Sequence, residues 1–351
     1  ISRKQLMSQQ LTVIMYHYIR ELPNTKYPEI KALLISEFKE QLAYLKRHYT
    51  FVTVVDCINA LQNESDLPTG ACLLTFDDGY IDHFVTVFPI LEENKIQGCF
   101  FPPAKAILAR EVLDVNKIHF ILASAYKDLD QLMGDIYTCL DKYRFQYKLK
   151  SNSFYYSKLA IKDRFDLADV IFIKRLLQVE LEENLRKLIA DELFNKYVTE
   201  DEKSFSRELY MDLDQIKCMV QSGMYIGSHG FDHIWLNKLP YERQELEIDK
   251  SLKFLGLVNA STENWVMCYP YGIYNDSLIE IIKKKGCSFA FTTKVDIASF
   301  SKENAYTLER LDTNDLPKLM SAIDKFISDG CKIRIQKGFP FLDNISNVDD
   351  S

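Results

Sequence analysis

Three short runs carry the residues that could do chemistry. Ser228-His229-Gly230-Phe231-Asp232-His233 contains an H-x-x-x-H pair, and such a pair, on one helix face or in a short loop, can bring two imidazoles to one ion. The apolar stretch Met224-Tyr225-Ile226-Gly227 precedes it. His229 therefore falls near the C-terminal end of a strand, where α/β barrels keep their functional residues. Thr75-Phe76-Asp77-Asp78-Gly79 closes a second apolar run. Two adjacent carboxylates at the end of a buried strand are costly without a cation nearby. One reading makes them an N-cap and a turn residue opening the next helix. The other gives one aspartate, with the two histidines, to a divalent ion that keeps positions open for water and substrate, and leaves the second aspartate to take a proton. The third run is Cys268-Tyr269-Pro270-Tyr271-Gly272, in which Pro and Gly set a tight turn and two rings offer a stacking surface.

The elements that must position these runs follow an α/β pattern. LTVIMYHYI (11–19) reads as a first strand ending near His17, followed by a helix at SEFKEQLAYLKRHY. FVTVVD is expected to be a second strand. ACLLTF (71–76), continuous and apolar between a Pro-Thr-Gly turn and the Asp pair, reads as a buried strand of a parallel sheet. QGCFFPP, MYIGSHG, NWVMCYPYG, CSFAFTT and AYTLERLD repeat the motif of strand followed by turn, and the alternation with helical patterns predicts a parallel α/β fold. The middle differs: residues 104–222 hold no proline and a single glycine, Gly134, and their apolar residues recur at three- and four-residue spacing. That is a helical segment interrupting the α/β unit. We expect a barrel-like domain over 11–105 and 206–330, a helical insertion over 106–205 and a C-terminal tail over 331–351.

Bulk properties narrow the function. With 47% hydrophobic and 26% charged residues in 351, the chain has the make-up of an ordinary globular protein. A net charge of -7 argues against nucleic acid, which calls for a basic face. No run of 18 apolar residues would cross a bilayer. The N-terminal ISRKQLMSQQ has no apolar signal-peptide core, so a cytoplasmic location is expected, with a leader removed before Ile1 left open. The eight cysteines form no C-x-x-C pair and read as buried free thiols. Of the other histidines, His48, His83 and His119 are read as structural, at a helix end, in packing and at the start of the insertion.

Taken in order, TFDDG, S-H-x-x-x-H and Y-P-Y-G resemble the motifs of the polysaccharide deacetylases, the NodB-homology carbohydrate esterases. The resemblance covers roughly residues 11–105 and 206–315. It implies a distorted, seven-stranded, TIM-like parallel (β/α) barrel, and removal of the N-acetyl group from an N-acetylamino sugar in a glycan or glycan precursor. It implies a divalent metal as well, zinc before cobalt, nickel or manganese. Carried over by motif, Asp77 is the general base and Asp78, His229 and His233 are the metal ligands. Tyr271 supplies the backbone amide for the oxyanion, with Tyr269, Pro270 and Gly272 in the same substrate-side segment. This chain departs from the family twice. Many members have Arg where Cys268 stands, and that Arg orients the catalytic Asp; Arg310 in LERLD is the candidate substitute. The usual late general-acid His is missing, because none follows His233. A subgroup supplies it from an N-terminal M-Y-H, here Met15-Tyr16-His17, which makes His17 the expected acid. Two other readings stay open: an amidase removing another N-acyl group such as formyl, and a glycan-binding barrel that has lost turnover.

Overall fold

The computed structural model describes residues 9–62, 65–162 and 166–316. Among the described residues nine strands are formed: β1 (Gln9–Tyr16), β2 (Thr50–Phe51), β3 (Ala71–Asp77), β4 (Gly98–Phe101), β5 (Tyr225–Ile226), β6 (Trp265–Cys268), β7 (Cys287–Phe291), β8 (Ala298–Phe300) and β9 (Leu311–Asp312). β1 pairs in parallel with β3 and β9, β3 with β2 and β4, and β4 with β5. β6 and β7 form a separate parallel pair. Two parallel bridges, Ser228 with Met267 and Phe291 with Leu308, join that pair to β5 on one side and to the run entering β9 on the other. The circuit β1–β3–β4–β5–β6–β7–β9 therefore closes on itself with all members parallel, a distorted barrel. β8 lies outside the circuit and runs antiparallel to β1.

Side-chain alternation fills the barrel. Leu11, Val13, Leu73, Cys99, Phe101, Val266, Cys268, Phe289, Phe291 and Leu308 share one buried cluster, every second residue of their strands as a pleat requires. The intervening residues face outward: Tyr16 and Phe76 stack on each other and meet Phe38 of the helix Ile35–His48 edge-on. Every residue of β3 is buried, the mark of a parallel strand covered on both faces. The same parity carries Asp77, two steps beyond Thr75, to the inner side at the C-terminal mouth.

One expectation changes at this level. Of FVTVVD only Phe51 is strand, in β2, and a helix takes over at Val54–Gln62. Thr53 and Asp56 explain the switch: the Thr53 N–H donates to the Asp56 carboxylate at 2.8 Å and the Asp56 N–H to the Thr53 hydroxyl at 3.1 Å, a reciprocal cap that opens a helix. The helices between β4 and β5 run from Ala104 to Gln221, and they pack with the barrel in one compact unit. The expected C-terminal tail, 331–351, lies outside the described residues. Among the described cysteines all are free thiols, six buried and Cys218 exposed. No described helix is long and apolar enough to cross a membrane.

Candidate metal and catalytic site

Strand ends and turns at the mouth of the barrel bring the candidate residues together. Asp77 is the last residue of β3, and Asp78 follows with φ 72°, a left-handed conformation. That reversal points two consecutive carboxylates into one site, which a continuing strand would send to opposite faces. Gly79 (φ +68°) completes the turn. A Cβ there would come within 2.6 Å of Pro102 Cβ, so glycine is required. His229 and His233 stand in the loop after β5, so the H-x-x-x-H pair is held by a loop and not a helix face. His233 is again left-handed (φ 51°).

Asp78, His229 and His233 are buried, with ligand atoms within 4.8 Å of one another. Asp78 Oδ1 lies 3.5 Å from His229 Nε2 and 3.3 Å from His233 Nε2. Metal bonds of about 2.1 Å at a tetrahedral angle would separate two ligand atoms by about 3.4 Å. Asp78 Oδ1 is buried and has no hydrogen-bond partner. A buried carboxylate oxygen in that condition is expensive, and a cation between the three groups would satisfy it. His229 Nδ1 sits 2.7 Å from the Cys268 carbonyl. A carbonyl only accepts, so Nδ1 carries the hydrogen and Nε2 is the nitrogen that faces Asp78, the orientation that metal-binding histidines need. Burial opposes a charge there, but Cys268 and Asp78 outweigh it and hold the metal-free imidazole well above its usual range, with a proton that a cation at this place would displace. Burial pushes the His233 imidazole down to about 4, which keeps it neutral and able to ligate. The donor set and its spacing fit a divalent ion.

Asp77 is arranged differently. Arg310, fully buried, donates to Asp77 Oδ1 at 2.9 Å and to Oδ2 at 2.8 Å, to Thr75 Oγ1 at 3.1 Å, and through Nε to the Thr292 carbonyl at 2.8 Å. The Cys268 thiol is 3.4 Å from Oδ2. Burial alone would raise the Asp77 carboxyl, but the Arg310 charge, joined by His229, outweighs it and holds the pKa at about 2. Arg310 comes from the run after Leu308, not from the Cys268 position, and reaches the carboxylate from the strand on the far side of β1. His17, one residue past β1 and 42% exposed at its side chain, places Nε2 3.9 Å from Asp77 Oδ2. Its carbonyl accepts from His83 Nε2 at 2.9 Å, so the buried His83 braces His17 from behind.

The Pro270–Gly272 turn flanks the ligands. Gly272 N–H donates to the Tyr269 carbonyl at 2.8 Å and Ile273 N–H to that of Pro270 at 3.4 Å; the Tyr271 N–H takes part in neither bond. Tyr271 is left-handed (φ 58°). Its ring stacks on Trp235 at 4.5 Å and meets His233 edge-on at 4.8 Å. Gly272 is obligatory, since a Cβ would lie 2.2 Å from Thr293 Oγ1. Tyr269 departs from expectation. It is fully buried, and its hydroxyl donates to the Tyr306 carbonyl at 3.1 Å, so it anchors the turn from inside and offers no stacking surface. Trp235 takes that place beside Tyr271; its separation from the turn by 36 residues hid it in the sequence. A cavity next to His233, Trp235 and Tyr271 is walled on its other side by residues of the segment between β4 and β5, including Asp114, Ile118 and Arg186.

Comparison with known proteins agrees with this geometry. Residues 190–290 match the family model for polysaccharide deacetylase. The protein named YxkH of Bacillus subtilis (strain 168), described as a polysaccharide deacetylase, is 32% identical over 110 residues, 31% of this chain and 38% of its own length. The poly-beta-1,6-N-acetyl-D-glucosamine N-deacetylase of Escherichia coli O157:H7 is 31% identical over 98 residues, 26% of this chain and 14% of that protein. The matched segments thus span well under half of either relative. Among solved structures, the Streptococcus pyogenes deacetylase PplD superposes with a TM-score of 0.54 at 17% identity, over 90% of this chain and 98% of that one. IcaB from Ammonifex degensii gives 0.51 at 20%, over 87% and 92%; both likenesses concern the fold. Residues 190–290 are thus similar to the polysaccharide deacetylase family, and the fold is the one seen in solved deacetylase structures.

Proposed function

We propose that this chain is a metal-dependent N-deacetylase, cleaving the N-acetyl group of an N-acetylamino sugar in a glycan or glycan precursor and releasing acetate. The observation that carries the reading is the unpartnered Asp78 Oδ1 facing two histidine nitrogens beside a second, ionised carboxylate that Arg310 holds in place. Asp78, His229 and His233 would hold a divalent ion, zinc by donor type. Such an ion supplies Lewis-acid polarisation of an amide carbonyl and makes water more acidic.

The chain's own groups account for the proton transfers. Asp77, ionised and fixed by two hydrogen bonds, accepts the proton of the attacking water. His17, at the solvent edge of the site on the Asp77 side, donates a proton to the departing amine nitrogen, which would otherwise leave as an amide anion. The Tyr271 backbone N–H, free of the turn's own bonds, donates to the developing oxyanion. Tyr271 and Trp235 give a sugar ring an apolar wall next to the ligands. The Escherichia coli relative is named for removing acetyl groups from poly-β-1,6-N-acetyl-D-glucosamine, which supports an N-acetylglucosamine-type amide as the scissile group.

The test is acetate release from N-acetylated oligosaccharides, nucleotide sugars and lipid-linked sugars by the zinc-loaded chain, with Asp77→Asn as control. The variant should bind metal like the parent and lose turnover by about a hundred- to ten-thousandfold. Full activity in Asp77→Asn, or no acetate from any substrate despite stoichiometric metal, would sink the proposal.

A further inference from the structure

We infer that the helical insertion is a positioning arm of the metal centre, acting on Asp78 through Asn116, Tyr210 and Tyr80. The inference rests on the metal-binding reading of Asp78. Tyr80 donates its hydroxyl hydrogen to Asp78 Oδ2 at 2.6 Å, which leaves Oδ1, on the histidine side, as the free oxygen. Tyr80 in turn accepts from Asn116 Nδ2 at 2.7 Å, and the same amide nitrogen donates to Tyr18 at 2.9 Å. Asn116 Oδ1 accepts from the Tyr210 hydroxyl, and that hydroxyl accepts from the Leu113 N–H at 3.0 Å.

Hydrogen placement along this chain has one consistent solution. A backbone N–H only donates, so the Tyr210 hydrogen points to Asn116 Oδ1. The amide then turns its two hydrogens to Tyr18 and Tyr80, and the Tyr80 hydrogen is left for Asp78. Leu113, Asn116 and Tyr210 all belong to the segment inserted between β4 and β5. Asn116 and Tyr80 are fully buried and Tyr210 nearly so, so no water competes. The backbone repeats the connection: Tyr210 bridges Tyr80, and the Met211 N–H donates to the Gly79 carbonyl at 3.0 Å. The insertion thus grips the turn that holds the metal-binding aspartate, by main chain and side chain together. Groups that orient a ligand in this way typically contribute ten- to hundredfold to metal affinity.

The test measures zinc dissociation constants of the full chain by competition with a chromophoric chelator, with the visible spectrum of the cobalt form as a second readout. Tyr80→Phe and Asn116→Leu should each bind zinc ten- to hundredfold more weakly and shift the cobalt bands. Asp135→Asn serves as the control. Asp135 pairs with Lys196 and Tyr197 inside the insertion, so its loss should leave affinity unchanged. Thermal melts of the metal-free proteins check that each variant folds. A loss below tenfold in Tyr80→Phe or Asn116→Leu, or an equal loss in Asp135→Asn, overturns the inference while the metal site stands. A parent chain that binds neither zinc nor cobalt overturns both.

Discussion

Arg310→Met should destabilise the metal-free protein by about 3–5 kcal/mol at pH 7, the range for breaking a buried ion pair from one side. The structure supports the magnitude. Arg310 is fully buried, and Asp77 is 2% exposed. In the parent, the Asp77 carboxyl is lowered from 3.8 to about 2, worth about 2–3 kcal/mol of stability at neutral pH. Methionine fills the volume of the side chain but removes the charge and both hydrogen bonds. Burial, which already opposes ionisation of Asp77, then goes unanswered and lifts its carboxyl above 3.8. The pH dependence gives the signature. In the parent, a depressed carboxyl contributes stability that is present above pH 4 and lost only as pH falls toward 2. In the variant, a raised carboxyl imposes a penalty at pH 7 that is relieved as protons return. The gap between the two proteins must therefore narrow from pH 7 to pH 4. Guanidinium unfolding of chelator-treated protein at the two pH values measures it. A deficit under about 1 kcal/mol at pH 7, or one that is equal or larger at pH 4, would refute the assignment of Arg310 as the counter-charge of Asp77.

His17→Gln should keep zinc affinity within about twofold while turnover falls by about a hundred- to ten-thousandfold, as removal of a general acid does; unchanged kcat would move the acid elsewhere. Adding zinc to chelator-treated protein should raise its melting temperature, with about 2.7 kcal/mol gained at a free zinc concentration a hundred times Kd. Asp78→Ala should abolish that rise, and a rise of equal size would place the metal elsewhere. The glycines separate by position. Gly134→Ala, in the helix Leu129–Tyr143 with open space around the new methyl, should stabilise by about 0.5–1 kcal/mol. Gly272→Ala must push against Thr293 and should cost both stability and turnover. Equal effects in unfolding and acetate assays would contradict the packing described here.

The three motif runs were legible because each is local: a strand end, a turn, and two histidines four residues apart. The barrel was legible for the same reason, as apolar runs punctuated by Gly, Pro and Asp. What escaped was set by distance along the chain or by neighbours. FVTVVD has the composition of a strand, and only the Thr53–Asp56 cap turns it into a helix. Tyr269 and Tyr271 are two residues apart and equivalent by type, yet one is sealed inside and the other stacks on Trp235. The Tyr80–Asn116–Tyr210 chain spans 36 and 94 positions. Tyr80 had a signal, since it directly follows the Asp pair; nothing in the helical pattern around Asn116 sets that amide apart from a solvent-facing one.

Asp78, His233 and Tyr271 share a left-handed backbone although none is glycine. Side chains held in that region cost of order 1 kcal/mol or more each, somewhat less for Asp and His. Glycine would relax all three, and it would delete two of the proposed metal ligands and the ring beside Trp235. Stability and chemistry therefore pull in opposite directions at these positions. A laboratory selection for heat resistance alone, with no demand for turnover, should gather substitutions at 78, 233 and 271 ahead of most core positions. Lys95, Arg110, Lys148, Asn259 and Asn264 are left-handed too, so the active centre would be marked by those converging positions that a parallel selection for turnover holds fixed.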